Sequence, residues 1–408
     1  QARQLLWQAR SAYFPQVDAT YTAAKSWLAD NQVQDALDFA RLQAQLTGQD
    51  VEEAEEQVED TAQVYQVDVT ASFLVFNGLA REFTHLAAKY GTKQAAAARR
   101  DADRLLLLAV TRAYYGVQLA RENIAIAEAN EKFNERLLKE ARAMRRVGMG
   151  SLSNELNFEV LIRAARSAVL AAKEDYQVAR IALATLMGLP EARLPDNVAL
   201  PPLQAERPEE MQSPELDVAM DYALVHRPDR SQDRSGVKRA KATVKARYGD
   251  LSPVVGVFAR REAQHTGSSD IPGDAYSSTV GVNITHTWFA GGRRLARISE
   301  AKHARREAEY RLAQTELEIT SEVRQALIAL RTAQEQLVLQ RTTTEYVQKN
   351  RDLVKKEYDA GKGALALLNQ AQTNLVEAQG RLALARVSLR LSWYELRSAT
   401  GQILEPFE

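Results

Sequence analysis

The sequence predicts an α+β membrane protein made of two copies of one unit, a pair of strands followed by a very long helical hairpin. Three observations point there. Sliding the chain over itself by 213 residues lays residues 76–188 on 289–401 without a gap. Each copy opens on apolar residues that alternate with polar ones, the period-two signature of a strand. Each then enters an Ala-rich stretch without proline, 79–147 in the first copy. At 1.5 Å per residue such a stretch makes roughly 100 Å of helix. A repeat this long is a duplicated supersecondary unit, not a short solenoid module.

Residues 1–14 read as the end of a helix, closed by Pro15. The chain opens in mid-helix, so an earlier segment with a signal or a lipid-attachment cysteine is expected before it. Val17, Ala19, Tyr21 and Ala23 then alternate with Asp18, Thr20 and Thr22. Residues 65–76 repeat the pattern, with Val67, Val69, Ala71, Phe73 and Val75 against Asp68, Thr70 and Ser72. These two strands and their connection form a first segment, 15–78, in which 24–63 reads as a long exposed loop with some helix. The loop carries Asp50, Glu52, Glu53, Glu55, Glu56, Glu59 and Asp60 with no basic residue among them. Their spacing is not that of a calcium-binding EF-hand, so the run reads as solvated.

The first helical hairpin is expected over 79–187, with a break at Gly148-Met149-Gly150 and a return helix from Leu152. Val110, Val117, Ile124 and Leu138 recur at heptad spacing beside Ala113, Ala120, Ala127 and Ala141. Small residues on such a seam let helices approach closely and build a wall. The second copy repeats the seam as Val323, Leu330 and Leu337 with Ala326, Ala333 and Val347. Seven of the eleven prolines fall in 188–235, which reads as a connector. A helix over 236–252 leads to the second strand pair, 253–291. There Val255, Val257 and Ala259 follow Pro253, and 260–278 reads as a loop. Val280, Val282, Ile284, His286 and Trp288 then alternate with Gly281, Asn283, Thr285 and Thr287. The second hairpin is expected over 292–400, broken at Gly361-Lys362-Gly363, and 401–408 closes the chain.

Lys+Arg and Asp+Glu both number 53, which weighs against a nucleic-acid partner. The chain has no cysteine, which excludes disulfides, thiolate catalysis and Cys-ligated zinc. Its five histidines are scattered, and it lacks Gly-x-Ser-x-Gly and a phosphate loop, so no catalytic, metal or cofactor site is expected. No run of 18 apolar residues exists, which leaves barrel strands of about 9–11 residues as the route across a membrane. Arg293, Arg294, Arg297, Lys302, Arg305 and Arg306 read as a solvated helix face or as a cationic collar against lipid headgroups or the lumen. The Gly-x-Gly breaks are explained as turns with left-handed glycine caps, and such exposed tips are also where a docking surface would sit.

Several short motifs fall in one order. They are Phe76-Asn77-Gly78 and Phe289-Ala290-Gly291 at the strand-to-helix corners, Tyr114-Tyr115, and Tyr358-Asp359-Ala360-Gly361. Leu186-Met187-Gly188-Leu189-Pro190 and Arg227-Pro228-Asp229 complete them. Through these, essentially the whole chain resembles the TolC-type outer-membrane efflux proteins, or outer-membrane factors. The resemblance implies a homotrimer in the bacterial outer membrane. Four strands from each of three protomers would close a 12-stranded β-barrel, continued by a long periplasmic α-helical barrel with an equatorial belt at 188–235. It implies a passive exit duct of a tripartite export system, fed by a periplasmic adaptor (membrane fusion) protein and an inner-membrane transporter, with outer-membrane lipid around it. Small-molecule efflux is the first reading and a type I protein secretion duct the alternative. A soluble coiled-coil scaffold would account for the helices but not the strands.

The resemblance also implies a periplasmic gate and docking tip at Gly148, Gly150, Ser151, Leu152, Asn154 and Asn157. In the second copy these are Tyr358, Gly361, Gly363, Leu365, Leu367 and Gln370. The corners are Phe76, Gly78, Trp288, Phe289 and Gly291. Acidic pore residues of the family fall on Leu367, Gln370, Asn154 and Asn157, so a gate of apolar and amide side chains is expected.

Overall fold

The computed structural model describes all 408 residues except Gln57, Glu59, Asp60, Met149, Asp196, Asn197, Ala199, Ser268 and Glu408, and the side chains of Ala62 and Phe407. The chain divides into two compact units, Gln1–Lys93 with Ser235–Glu309, and Gln94–Arg234 with Tyr310–Glu408.

The first unit holds the strands. β1 (Gln16–Trp27), β2 (Thr61–Phe76), β3 (Val254–Thr266) and β4 (Tyr276–Thr285) form one antiparallel sheet in chain order. The two expected pairs are therefore joined, with β2 paired to β3 from Val64 opposite Thr266 to Phe76 opposite Val255. The register separates a mainly polar face from a mainly apolar one, with Lys25 and Arg261 the charged residues on the apolar side and Phe258 an aromatic on the polar side. One row runs Thr20, Asp68, Glu262, Ser277, and the next runs Tyr21, Val67, Ala263, Tyr276. A sheet with lipid on one side and water on the other needs this alternation.

The strands outrun the sequence reading. β1 continues to Trp27, β2 starts at Thr61, and β3 continues to Thr266, so the loops expected at 24–63 and 260–278 are shorter. Charge had hidden the pattern: Arg260 and Glu262 lie on the polar face, where Arg260 pairs with Asp68 and, at 3.0 Å, with Glu262. β4 in turn stops early, and His286 and Trp288 lie beyond it. β3 offers no partner past Val254, because Pro253 has no N–H to donate. The β1–β2 connection is largely helical, as α2 (Asp30–Thr47) and α3 (Val51–Glu56), preceded in the chain by α1 (Ala2–Ser11). Gly48 ends α2 at φ +71°, and Arg41 joins α2 to α3 by an ion pair with Glu55. Of the acidic run, Glu59 and Asp60 lie outside the described residues, as does Ser268 of the second loop.

The hairpins are α4 (Ala80–Arg146) with α5 (Leu152–Leu186) and α8 (Arg293–Asp359) with α9 (Leu365–Thr400). The heptad seam is buried most fully in the second copy. Val323, Leu330 and Leu337 pack with Ala326 and Ala333 against Leu389 and Leu396 of α9, and against Ala219 and Ala223 of α6 (Leu216–His226). In the first copy Val117 packs on Leu183, Ala184 and Leu194. The helix expected from residue 236 begins earlier, as α7 (Pro228–Gly249). Proline suits a first helical position, where the missing N–H would lack a partner anyway. The residue before it, Arg227, is 2% exposed. Its guanidinium holds both Asp229 oxygens, at 3.0 and 2.5 Å, with Glu322 at 2.6 Å and the Ala399 carbonyl at 2.9 Å. Burial pulls the Arg227 pKa down, but the two carboxylates outweigh it and the net direction is up.

Candidate functional site

The two tips share one backbone. α4 ends at Gly148 with φ +78° and α8 at Gly361 with φ +72°, a conformation that costs L-residues with a Cβ. Two residues on, the constraint is space. A Cβ on Gly150 would lie 2.9 Å from the Arg145 nitrogen, and one on Gly363 would lie 2.9 Å from the Tyr358 nitrogen. In the second tip the N–H groups of Lys362 and Gly363 donate to the Glu357 carbonyl at 2.9 and 3.0 Å. Ser151 caps α5 by accepting from the Asn154 N–H at 3.2 Å. Met149 lies outside the described residues.

Different side chains hold the two tips together. Arg142 bridges to Glu155 at 3.0 Å and Glu159 at 2.7 Å, and Arg145 reaches Glu155 at 2.6 Å. The equivalent positions of the second hairpin are Lys355, Tyr358, Leu368 and Gln372. There the Lys355 ammonium donates across to Glu140 of α4 at 2.9 Å and to Asp359 at 2.5 Å. Burial lowers the Lys355 pKa, yet these two hydrogen bonds outweigh it and the net direction is up. Phe133, Leu137, Phe158, Val354, Leu368 and Ala371 form a core joining both hairpins, and Tyr358 and Leu365 pack on it. Burial pushes the Tyr358 hydroxyl above its ordinary pKa, against the pull of Lys355. Amides add to this, with Asn369 donating to Asn157 at 3.0 Å and Gln372 to Asn130 at 2.9 Å.

Of the residues singled out from sequence, Tyr358, Leu365 and Asn157 thus lie in contacts between the hairpins. Leu152 and Leu367 are exposed, as is Gln370, which donates to Asn374 at 2.8 Å. Val147, Leu156 and Val160 are exposed apolar neighbours of the first tip. Sequence reasoning missed the ionic ties. Their signal was present, because Arg142 and Glu155 stand at nearly equal distances on either side of the turn. The corners differ from each other. Gly78 has φ +66°, and its Cβ would meet the Gly249 carbonyl and the Ser252 side chain at 2.5 Å, so the two chain segments cross too closely there for a side chain at 78. Gly291, at φ +57°, faces open space, and Trp288 and Phe289 are 92% and 86% exposed, against 43% for Phe76.

The polar face of the sheet carries Asp18, Asp68 and Glu262 against Arg260, so one positive and three negative charges leave −2 per protomer. Among the described residues no cluster of three His, Asp or Glu could hold a metal ion, and no helix is long and apolar enough to cross a membrane.

The chain has similar proteins among known families and structures. The family model described as outer membrane efflux protein matches residues 1–189 and 219–402. The outer membrane efflux protein BepC of Brucella suis is 27% identical over 305 residues, 75% of this chain and 65% of that protein. The alkaline protease secretion protein AprF of Pseudomonas aeruginosa is 25% identical over 309 residues, 75% of this chain and 63% of that protein. The chain thus spans just under two thirds of the length of these relatives. The crystal structure of the Campylobacter jejuni CmeC outer membrane channel superposes with a TM-score of 0.78 at 15% identity, covering 98% of this chain and 80% of that one. The fold, with its four-stranded sheet and long helical part, is that of outer-membrane channels, which sit in the outer membrane with the helices in the periplasm. By the extent of the family match, the chain belongs to the outer membrane efflux protein family.

Proposed function

We propose that the protein is the passive exit duct of a tripartite export system, working as a homotrimer. One observation carries this reading: the sheet ends in two unpaired edges, β1 and β4, and has one mainly apolar and one mainly polar face. Open edges cannot stand in lipid, since each unpaired backbone group there costs several kcal/mol. Three copies pairing β4 to β1 close the sheet around a polar lumen. The tips then serve as the periplasmic gate, and their exposed apolar residues, Val147, Leu152 and Leu367, offer the surface on which a periplasmic adaptor docks. An inner-membrane transporter supplies the energy. The duct contributes no chemistry of its own.

Small-molecule efflux is the preferred cargo class, supported by the likeness to BepC. A protein secretion duct is the second reading, supported by the likeness to AprF. Arg227-Pro228-Asp229 does not separate the two, because its buried contacts explain it as an anchor. The test is the mass of the detergent-solubilised protein by light scattering, with conductance in planar bilayers. A particle of three times 45.5 kDa that forms a pore supports the duct. A rod that stays monomeric or dimeric without detergent overturns it.

A further inference from the structure

The mainly apolar face of the sheet carries two cations that a passive duct does not require. Lys25 of β1 and Arg261 of β3 share the face of Val67 and Val69, opposite to that of Asp68. Both are exposed, and neither has a carboxylate partner among the described residues. The strand residues on that face include no Asp or Glu. The acids of the sheet, Asp18, Asp68 and Glu262, stand on the other face with Arg260. A cation on a face turned to lipid is costly unless an anion meets it or its charged end reaches the boundary with water.

The aromatic residues around them set their depth. β2 enters α4 at its Phe76 end, so its Thr61 end is the outer one. Near that end one row runs Tyr21, Val67, Ala263, Tyr276, and two residues further out Tyr65 stands opposite His265. Rings at one height form the girdle that marks the lipid–water boundary of a membrane barrel. Arg261 stands opposite Ser278, two residues inward of Tyr276, and Lys25 stands opposite Gln63, two residues outward of Tyr65. The Arg261 guanidinium turns outward and lies over the Tyr276 ring, 5.2 Å from its centre. It is thus carried from the apolar band up to the girdle, as long cationic side chains are at a boundary. The inner end of the same face has no such charge, and Val17, Phe73, Val257 and Ile284 are apolar there.

We infer that the outer rim of this face is a docking surface for a phosphate-bearing lipid of the outer leaflet. Arg261 and Lys25 meet headgroup phosphates on either side of the tyrosine row, and the acyl chains lie along the valines below it. Charge selects this occupant. The two cations are confined to the outer end and share their face with no acid, which favours an anionic headgroup over a zwitterionic one. Tyr21 and Tyr276 belong to the edge strands β1 and β4, so the rim continues across each subunit boundary of a closed barrel. The inference rests on the duct reading, which turns this face to lipid, and adds what its rim holds.

The test uses the full chain in an uncharged detergent, with bound lipid counted by native mass spectrometry. The probes are lipid A with its phosphates, lipid A with them removed, and inorganic phosphate alone. The expected result is retention of the phosphorylated lipid about tenfold above the dephosphorylated one, the scale of basic residues at an anionic surface. The double variant Lys25→Gln with Arg261→Gln abolishes that preference. Both side chains lie outside the polar lumen, so conductance in planar bilayers stays that of the parent and reports an intact pore. Equal retention of the two lipids by a pore-forming parent overturns the inference and leaves the duct reading standing. So does a preference that survives the double variant, or inorganic phosphate held as firmly as the lipid. A parent that forms no pore overturns the duct reading and this inference with it.

Discussion

Gly363 and Gly361 stand two residues apart and are required for different reasons. Gly361→Ala places a Cβ in the left-handed region with open space around it, a cost of about 1–2 kcal/mol. Gly363→Ala must displace the backbone at Tyr358, so its cost is larger and it moves the tip. Thermal unfolding ranks the two, and proteolysis at 359–363 rises for the second only. Arg227 belongs to the same scale. Arg227→Met leaves Asp229 half-buried without its partner, for a loss of about 3–5 kcal/mol. The pH dependence has a definite sign. Burial pushes the Asp229 pKa up, but Arg227 outweighs it and holds the native value below the ordinary 3.8. The stabilisation is therefore present above about pH 4 and lost as the pH falls through the lower native value. Denaturant titration between pH 2.5 and 6 should show that acid-side loss in the parent protein and a flatter curve in Arg227→Met.

At the scale of elements, the cross-links between hairpins bear on the gate proposed at the tips. Lys355→Met removes the tie from α8 to Glu140 of α4, and Tyr358→Ala removes a ring from the shared tip core. Both are expected to raise single-channel conductance, and an unchanged value for both would reject the gate assignment. The seam and the tip glycines were legible in the sequence because each is a local pattern. Val323, Leu330 and Leu337 repeat at seven, and a Gly-x-Gly interrupts a proline-free helix. Contacts across the hairpin were not legible, since the pairing of Arg142 with Glu155 depends on where the turn is centred. The far half of β3 was missed because Arg260, Arg261 and Glu262 resemble a loop until β2 is set beside them and Arg260 finds Asp68. The start of α7 was missed because Pro228 sits among connector prolines, though its φ is suited to a first helical turn.

At the scale of the molecule, a neutral chain places its charge unevenly. The polar face of the sheet carries −2 per protomer, so three copies give −6 in one lumen. Cations should pass preferentially. A reversal potential under a potassium chloride gradient measures this, and Asp18→Asn should move it toward zero. A selectivity unaltered by that change would mean the polar face does not line the pore.

The duplicated hairpins bear one more consequence. They share a joint and one apolar core, but the first hairpin adds charge pairs across its own turn, from Arg142 and Arg145 to Glu155 and Glu159. Added salt screens exposed ion pairs, whereas cooling weakens apolar burial. Salt should therefore loosen mainly the first tip, whereas cooling should loosen both. Hydrogen exchange would show protection falling mainly around 142–159 in high salt, and around both 133–158 and 354–371 in the cold, an asymmetric response from one doubled design.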